Sequence, residues 1–403
     1  MSLFLDLIEQ EQLRQEGNIE LIASENFVSK NVLKALGSCL TNKYSEGYPL
    51  DRTTGNTGRY YGGCEWVDLI EERCCNLWRA VFSTDYHVNV QPHSGSQANY
   101  AAYAAVAKPG DTILAMNLNN GGHLTHGSAV NFSGKLYTMV FYDTDDEGYI
   151  DYQDLYTKML MFKPKVVVAG ASAYPRAISF KTFREMLERA KLESGDINWE
   201  PYLMVDMAHI AGLVATGLHE SPFGFADIIT TTTHKTLRGP RGGMIFCRRE
   251  LAKKIDSAVF PGCQGGPLQN VIAAKGVAAE ECLSADYVEY MHQVVKNCKA
   301  MADHFTKNGF HVVTGGTDNH LFLVDLSLTH PDVTGLMVQE ACDLIGITLN
   351  KNCVPNEKRG PKEASGIRIG TAAMTTKGFT EVDFMDAALR IMNVIDSLQE
   401  NTK

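Results

Sequence analysis

The feature that most constrains this chain is a repeated alternation of helix-patterned and strand-patterned segments that begins near Trp66. Apolar spacing predicts helices over 65–80, 97–107, 152–160 and 180–192. Between and after them stand short aliphatic or β-branched runs at 87–91, 112–116, 136–141, 166–169, 202–206 and 228–232. Strands that alternate with helices of this length require crossover connections. They therefore predict an α/β architecture, a mainly parallel sheet with helices on both faces. In such sheets ligands collect in the crevice beyond the carboxyl ends of the strands. Ser94–Ser96, Asp206 and Lys235 each fall just past a predicted strand end and are expected to converge.

Outside that rhythm the pattern changes twice. Helices are expected at Leu3–Gln15 and Lys30–Leu40, followed by a long glycine- and tyrosine-rich stretch from Thr41 to Asp68. A loop of that length inside a compact domain is usually functional or disordered, and its paired aromatics (Tyr44, Tyr48, Tyr60, Tyr61) favour a site loop. After Pro267 a single long helix is expected over Leu268–Asn308. Short strands near 311–313 and 321–325 and helices at 334–345 and 380–398 follow it. The expected organisation is an N-terminal helical arm (1–20), a large domain (21–267) and a smaller C-terminal α/β domain (268–403) joined by the long helix. A formal net charge of −10 without a basic block argues against nucleic-acid or anionic-membrane partners. Ten scattered cysteines lack metal-ligand spacing and suit a reducing compartment, so no metal site is expected. With no signal- or transit-like N-terminus and no long apolar run, the expected location is cytoplasmic.

Five local patterns carry chemistry, and each has a bland alternative. In DIITTTTHKTLRGPRGG (227–243), Lys235 fits either a solvated loop lysine or a desolvated amine with nucleophilic character. SGSQAN (94–99) fits an anion cup at a helix N-terminus or a plain serine cap. Asp206 in VDMAHIAG fits a partner for a cationic ring nitrogen or a cap for the next helix. His123 and His126 in GGHLTHG fit a stacking or proton-moving role or simple packing. Arg368 in GIRIG fits capture of a substrate carboxylate or an internal salt bridge. Taken together they form the parts needed to hold pyridoxal phosphate.

These stretches, with LIASENF, TNKYSEGYP, RYYGGCEWVD, QPHSGSQAN, SAYPR, FPGCQGGP, NKNCVP and SGIRIGT, run in order from residue 21 to residue 371. In that order the chain closely resembles serine hydroxymethyltransferase. The resemblance implies a fold-type I pyridoxal-phosphate transferase with a seven-stranded sheet in the large domain. It also implies interconversion of serine plus tetrahydrofolate with glycine plus methylene-tetrahydrofolate. By motif, Lys235 is implied to anchor the cofactor, Asp206 to bind its pyridine nitrogen and His123 to stack on its ring. His209 and Ser172 are implied at the cofactor. Ser94, Gly95 and Ser96 would hold the phosphate, joined by Gly265, Gly266 and a tyrosine matching Tyr44 from the partner subunit. Arg368 and Ser24 are implied to bind the amino acid, with Glu46, Tyr61, His234 and Thr232 in catalytic positions. Leu118, Gly122, Leu124 and Asn352 match folate contacts. Sites shared between subunits imply an obligate homodimer, or a tetramer.

The chain departs from the family pattern in three places. LDRTTGNTG (50–58) lengthens the connection between Glu46 and Tyr61, and Asn119-Asn120 stands where the family has an Ala-His-like pair. Both bear on folate affinity and substrate preference. They motivate an alternative, a folate-independent aldolase acting on β-hydroxy amino acids such as threonine. The third, an insertion near Leu192–Pro201, is expected on the surface.

Overall fold

A computed structural model describes residues 3–50 and 58–401. Apart from a short first strand, β1 (Ile19–Glu20), the large sheet takes the next seven strands of the chain. They are β2 (His87–Asn89), β3 (Thr112–Met116), β4 (Thr138–Tyr142), β5 (Val166–Ala169), β6 (Tyr202–Asp206), β7 (Ile228–Thr232) and β8 (Gly243–Cys247). Their spatial order is β2-β8-β7-β6-β5-β3-β4. All pairings from β4 across to β7 are parallel, and β8 alone runs against its neighbours β7 and β2. The expected parallel sheet is therefore present. The sequence reading omitted β8, whose five apolar residues are screened by the glycine- and arginine-rich run before it.

Side-chain alternation divides the sheet into two buried faces. Leu114, Val167, Leu203, Val205, Ile229 and Phe246 pack on one side against Trp78, Phe180, Phe183 and Leu187. Ile113, Val166, Val168, Met204, Ile228 and Ile245 pack on the other against Ala98, Ala101, Ala102, Ile255 and Val259. Burial on both faces explains why these strands read as continuous apolar runs.

The C-terminal part builds a second core around Met301, Phe305, Phe322, Val324, Ile369 and Phe384. Its antiparallel sheet uses β9 (His311–Val312), β10 (Leu321–Asp325), β12 (Asn350–Asn352) and β13 (Gly366–Gly370), in the order β12-β13-β10-β9. Between them in the chain, β11 (Ile347–Thr348) pairs in parallel with β1, and Leu21 is buried in this second core.

Local differences from the expected elements have identifiable causes. The 268–308 stretch is two helices, Gln269–Cys282 and Ala285–Lys307, because the Ser284 hydroxyl caps the second by accepting from the Tyr287 amide at 3.2 Å. The helix expected to reach residue 40 stops at Leu36, with a 3-10 turn over Cys39–Asn42. Leu136 ends a short helix, Phe132–Leu136, and does not open β4. The 192–201 insertion lies on the surface, with Leu192 and Ile197 exposed. It is pinned by buried Trp199, whose indole donates to the Pro164 carbonyl at 2.9 Å. Most of the 50–58 insertion lies outside the described residues.

Candidate active site

Three strand ends and one helix start meet over the carboxyl edge of the large sheet. β7 delivers Thr232 and then His234 and Lys235, β6 ends on Asp206, and β5 leads to Ser172. The helix Gly95–Val106 begins beside them, capped by the Ser94 hydroxyl, which accepts from the Gln97 amide at 3.2 Å. They line a cavity of about 340 Å³, which also receives Ser24, His123, His209 and Arg368. Gly95 has no room for a side chain, since a Cβ there would stand 2.6 Å from the Thr232 methyl. A larger crevice of about 720 Å³, between the 146–147 turn and the 354–359 loop, contains none of the residues predicted to act.

The cavity sets one buried carboxylate among several cations. Asp206 accepts from the Asn99 amide at 2.9 Å and the Ala208 backbone at 3.1 Å, and meets His126 Nε2 at 3.0 Å. Burial alone would raise its pKa. The His126 hydrogen bond and charge, with help from His123 and Asn99, outweigh burial and hold the carboxyl well below its ordinary range. Lys235 is only 8% exposed, and burial lowers its pKa to about 8. Asp206 opposes that shift, while Arg368 and Arg241 reinforce it. The bland reading of a solvated loop lysine is therefore excluded.

Three histidines of the site, His123, His234 and His209, are held neutral. Burial first, then His126, takes His123 down to about 4, and burial with Lys235 takes His234 to about 3. His209 is also driven well down by burial. Its Nδ1 meets His320 Nε2 at 3.2 Å, and its Nε2 lies 3.4 Å from the Ser172 hydroxyl. Two buried polar atoms at the cavity, Thr232 Oγ1 and His234 Nδ1, have no hydrogen-bond partner among the described residues.

Arg368 stands on β13 opposite Asn350 of β12. Its Nε donates to Asn350 Oδ1 at 3.1 Å and its Nη1 to the Ser172 carbonyl at 2.8 Å. Burial lowers its pKa to about 10, and among the described residues it forms no ion pair. The internal salt bridge that the sequence left open is absent there.

Glu46, Tyr61, Tyr44, Gly265 and Gly266 form a separate cluster of the same chain, outside the Lys235 cavity. The Tyr44 hydroxyl donates to Glu46 Oε1 at 3.3 Å and the Tyr61 hydroxyl to Oε2 at 3.4 Å. The two rings meet edge to face at 5.4 Å, and the Gly265–Gly266 turn packs against Tyr44 and Glu46. The Glu46 charge raises the Tyr61 pKa. Tyr44 and Tyr61 are 57% and 46% exposed, an unusual state for aromatic rings that flank a carboxylate.

Leu118, Gly122 and Leu124 share the turn that carries His123, and Asn352 lies on β12 next to β13. Asn120 is tied down, its amide donating to Asp143 at 2.9 Å, whereas Asn119 is exposed. Sequence reasoning missed Asn99, Thr230, Asn350 and His320 as parts of the site. Asn99 was within reach of pattern reading, since it follows Ser96 by one helical turn in SGSQAN. Asn350 and His320 come from distant segments and leave no local signal.

The family model for serine hydroxymethyltransferase matches residues 2–391, nearly the whole chain. The fold and the order of the site motifs agree with that match. The chain belongs to the serine hydroxymethyltransferase family, pyridoxal-phosphate enzymes that transfer the hydroxymethyl carbon between serine and tetrahydrofolate.

Proposed function

We propose that the Lys235 cavity is the site of this reaction, with Lys235 as the cofactor's anchoring amine. The observation that carries this reading is charge. Among the described residues, Lys235, Arg241 and Arg368 line the cavity against Asp206 alone, so it has surplus positive charge for anions to compensate. The residues fit pyridoxal phosphate in other respects too. Gly95 leaves the helix start open, and Thr232 Oγ1 and His234 Nδ1 are buried without partners among the described residues. When bound, the cofactor supplies an electron sink for bonds broken at the substrate α-carbon.

Every other step in this reading is work done by the chain. Ser94, Gly95 and Ser96 receive the phosphate at a helix N-terminus, where free backbone N–H groups and the helix dipole favour an anion. Asp206, kept ionised by His126 and Asn99, holds a proton on the ring nitrogen. His123, neutral at pH 7, lies against the ring without adding charge. His209 and Ser172 bind near the ring oxygen. Arg368 offers its guanidinium edge to the amino-acid carboxylate, with Ser24 and His234 beside it, and Thr232 lends its unpartnered hydroxyl to the bound group. Leu118, Gly122, Leu124 and Asn352 receive the folate.

Glu46 and Tyr61 exchange the proton of the substrate hydroxymethyl oxygen, and they serve the cavity of a second copy, together with Tyr44, Gly265 and Gly266. The separation of that cluster from its own Lys235 supports a homodimer with shared sites, with a tetramer as the larger possibility. So does exposed apolar surface at Trp66, Leu69 and Tyr60, and at the N-terminal helix Leu3–Gly17, which buries none of its residues. We read the chain as an arm (1–20), a large domain (21–267) and a small domain (268–403). We assign it to the cytoplasm on its ten free cysteines. No helix among the described residues is long and apolar enough to cross a membrane.

The decisive experiment measures serine cleavage with and without tetrahydrofolate in the wild type and in Lys235→Ala. Folate-stimulated turnover and visible cofactor absorbance, both lost in the variant, are expected. A variant that keeps both would overturn the assignment of Lys235.

A further inference from the structure

Lys275 takes no part in the site described above, yet it is the most deeply buried amine in the described chain, at 1% exposure. It projects from the helix Gln269–Cys282, and its ammonium donates to three carbonyls: Val90 at 2.7 Å, Gly243 at 2.8 Å and Pro92 at 3.1 Å. Three donors meet three acceptors, so the group is fully satisfied. No carboxylate lies within ion-pairing distance of it among the described residues. Burial lowers its pKa to about 8, with Cys74 and Glu71 partly opposing, so it is mostly charged at neutral pH.

The three carbonyls belong to two segments that meet under the proposed phosphate cup. Val90 and Pro92 lead directly into Ser94–Ser96, while Gly243 opens β8 and pairs in register with Thr232, three residues before Lys235. The segments touch tightly. The Gly243 amide donates to the Pro92 carbonyl at 3.1 Å, and a Cβ on Gly243 would stand 2.3 Å from the Ser94 carbonyl. Position 242 is equally tight, since a Cβ there would meet Lys275 Cε at 2.5 Å and Nζ at 3.1 Å.

We infer that Lys275 is a positioning residue for the phosphate cup, clamping the strand that enters Ser94–Ser96 to the strand that returns from Lys235. This rests on the reading of Ser94–Ser96 as the cup. A buried ammonium that merely filled space would make carbonyl contacts within one element. Here it joins two, and both end at the cofactor site. Loss of the clamp lets the cup move relative to Lys235, which weakens recognition of the phosphate more than recognition of the rest of the cofactor.

The test compares full-length protein stripped of cofactor with its Lys275→Met form, each titrated with pyridoxal phosphate and with pyridoxal. Visible absorbance reports binding, and thermal unfolding of the unliganded forms is recorded alongside. The expected result is a fall of at least tenfold in the preference for the phosphorylated ligand, with pyridoxal affinity changed less than threefold. Equal weakening for both ligands, or an unchanged preference, would overturn the inference and leave Lys275 a purely structural group. If the wild type itself binds both ligands alike, the cup reading fails instead. Should Lys275→Met not fold, Gly242→Ala displaces the ammonium without removing it. It must lower the same preference, and an unchanged ratio there overturns the inference as well.

Discussion

Lys235 and Asp206 show how burial sets chemistry one side chain at a time. A lysine lowered to about 8 carries far more free amine at neutral pH than one at the ordinary 10.5. Cofactor uptake by the stripped protein should therefore accelerate about tenfold per pH unit up to pH 8 and then level off. A rise that continues to pH 10 in stopped-flow absorbance would show an unperturbed lysine. The stability consequence has the opposite sign to a salt-bridged lysine. Between about pH 8 and 10.5 the unfolded chain binds the proton and the folded one does not, so this group destabilises the stripped fold at lower pH. That cost is relieved as pH rises through the window. Asp206→Asn removes the only carboxylate that lines the cavity among the described residues and leaves His126 facing a neutral amide. It should lower kcat by roughly a hundredfold or more, with a much smaller change in the KM for serine. Steady-state kinetics at saturating cofactor check this, and an equal loss in both parameters would count against it.

Among the elements, the segment carrying Glu46 has little regular structure of its own; Gln91 and Gln269 bond it, and one arginine is its charged anchor. The Arg59 side chain is almost wholly buried; it pairs with Asp68 at 2.8 Å and Glu71 at 2.7 Å, and donates to the carbonyls of Ser45 at 3.0 Å and Gly47 at 2.7 Å. It thus grips the backbone on both sides of Glu46. Glu71 is buried, so Arg59→Met strands a carboxylate in the interior, at a cost of about 3–5 kcal/mol. The urea midpoint should fall accordingly. Replacing Glu71 by Gln in the same background should recover much of the loss, because the stranded charge is then gone. The short strands of the second sheet work in a similar way. β12 and β13 bring Asn350 and Arg368 into register, where the Arg368 Nη1 donates to the Ser172 carbonyl.

At the level of the whole molecule, the Glu46–Tyr61 cluster lies outside the Lys235 cavity of the same chain, the separation proposed to make two half-sites. If each half completes the other copy's, mixing Lys235→Ala with Glu46→Ala protein should restore activity that neither has alone. Random reassortment into dimers gives one intact site in each heterodimer, or about a quarter of wild-type turnover. Mixtures that stay inactive after subunit exchange would sink the shared-site dimer.

Much of this molecule was legible in the chain itself. Strands β3, β5, β6, β7 and β10 match their expected residues end to end, because strands buried on both faces write a continuous apolar signal. The candidate cavity gathers Lys235, Asp206, His123, Arg368 and Ser94–Ser96, each set by a short motif at a strand end or helix start. Local sequence determined these because turn chemistry and burial period are local properties. Tertiary structure alone decided the rest. It chose His126 and Asn99 as the partners that keep Asp206 ionised, left Arg368 without a counter-ion among the described residues, and set Glu46 outside the Lys235 cavity. It also buried Lys275 against the segment that leads into Ser94–Ser96. Those outcomes depend on which distant segments pack together, and a pKa is fixed by all the neighbours of a group, most of them far away in the chain.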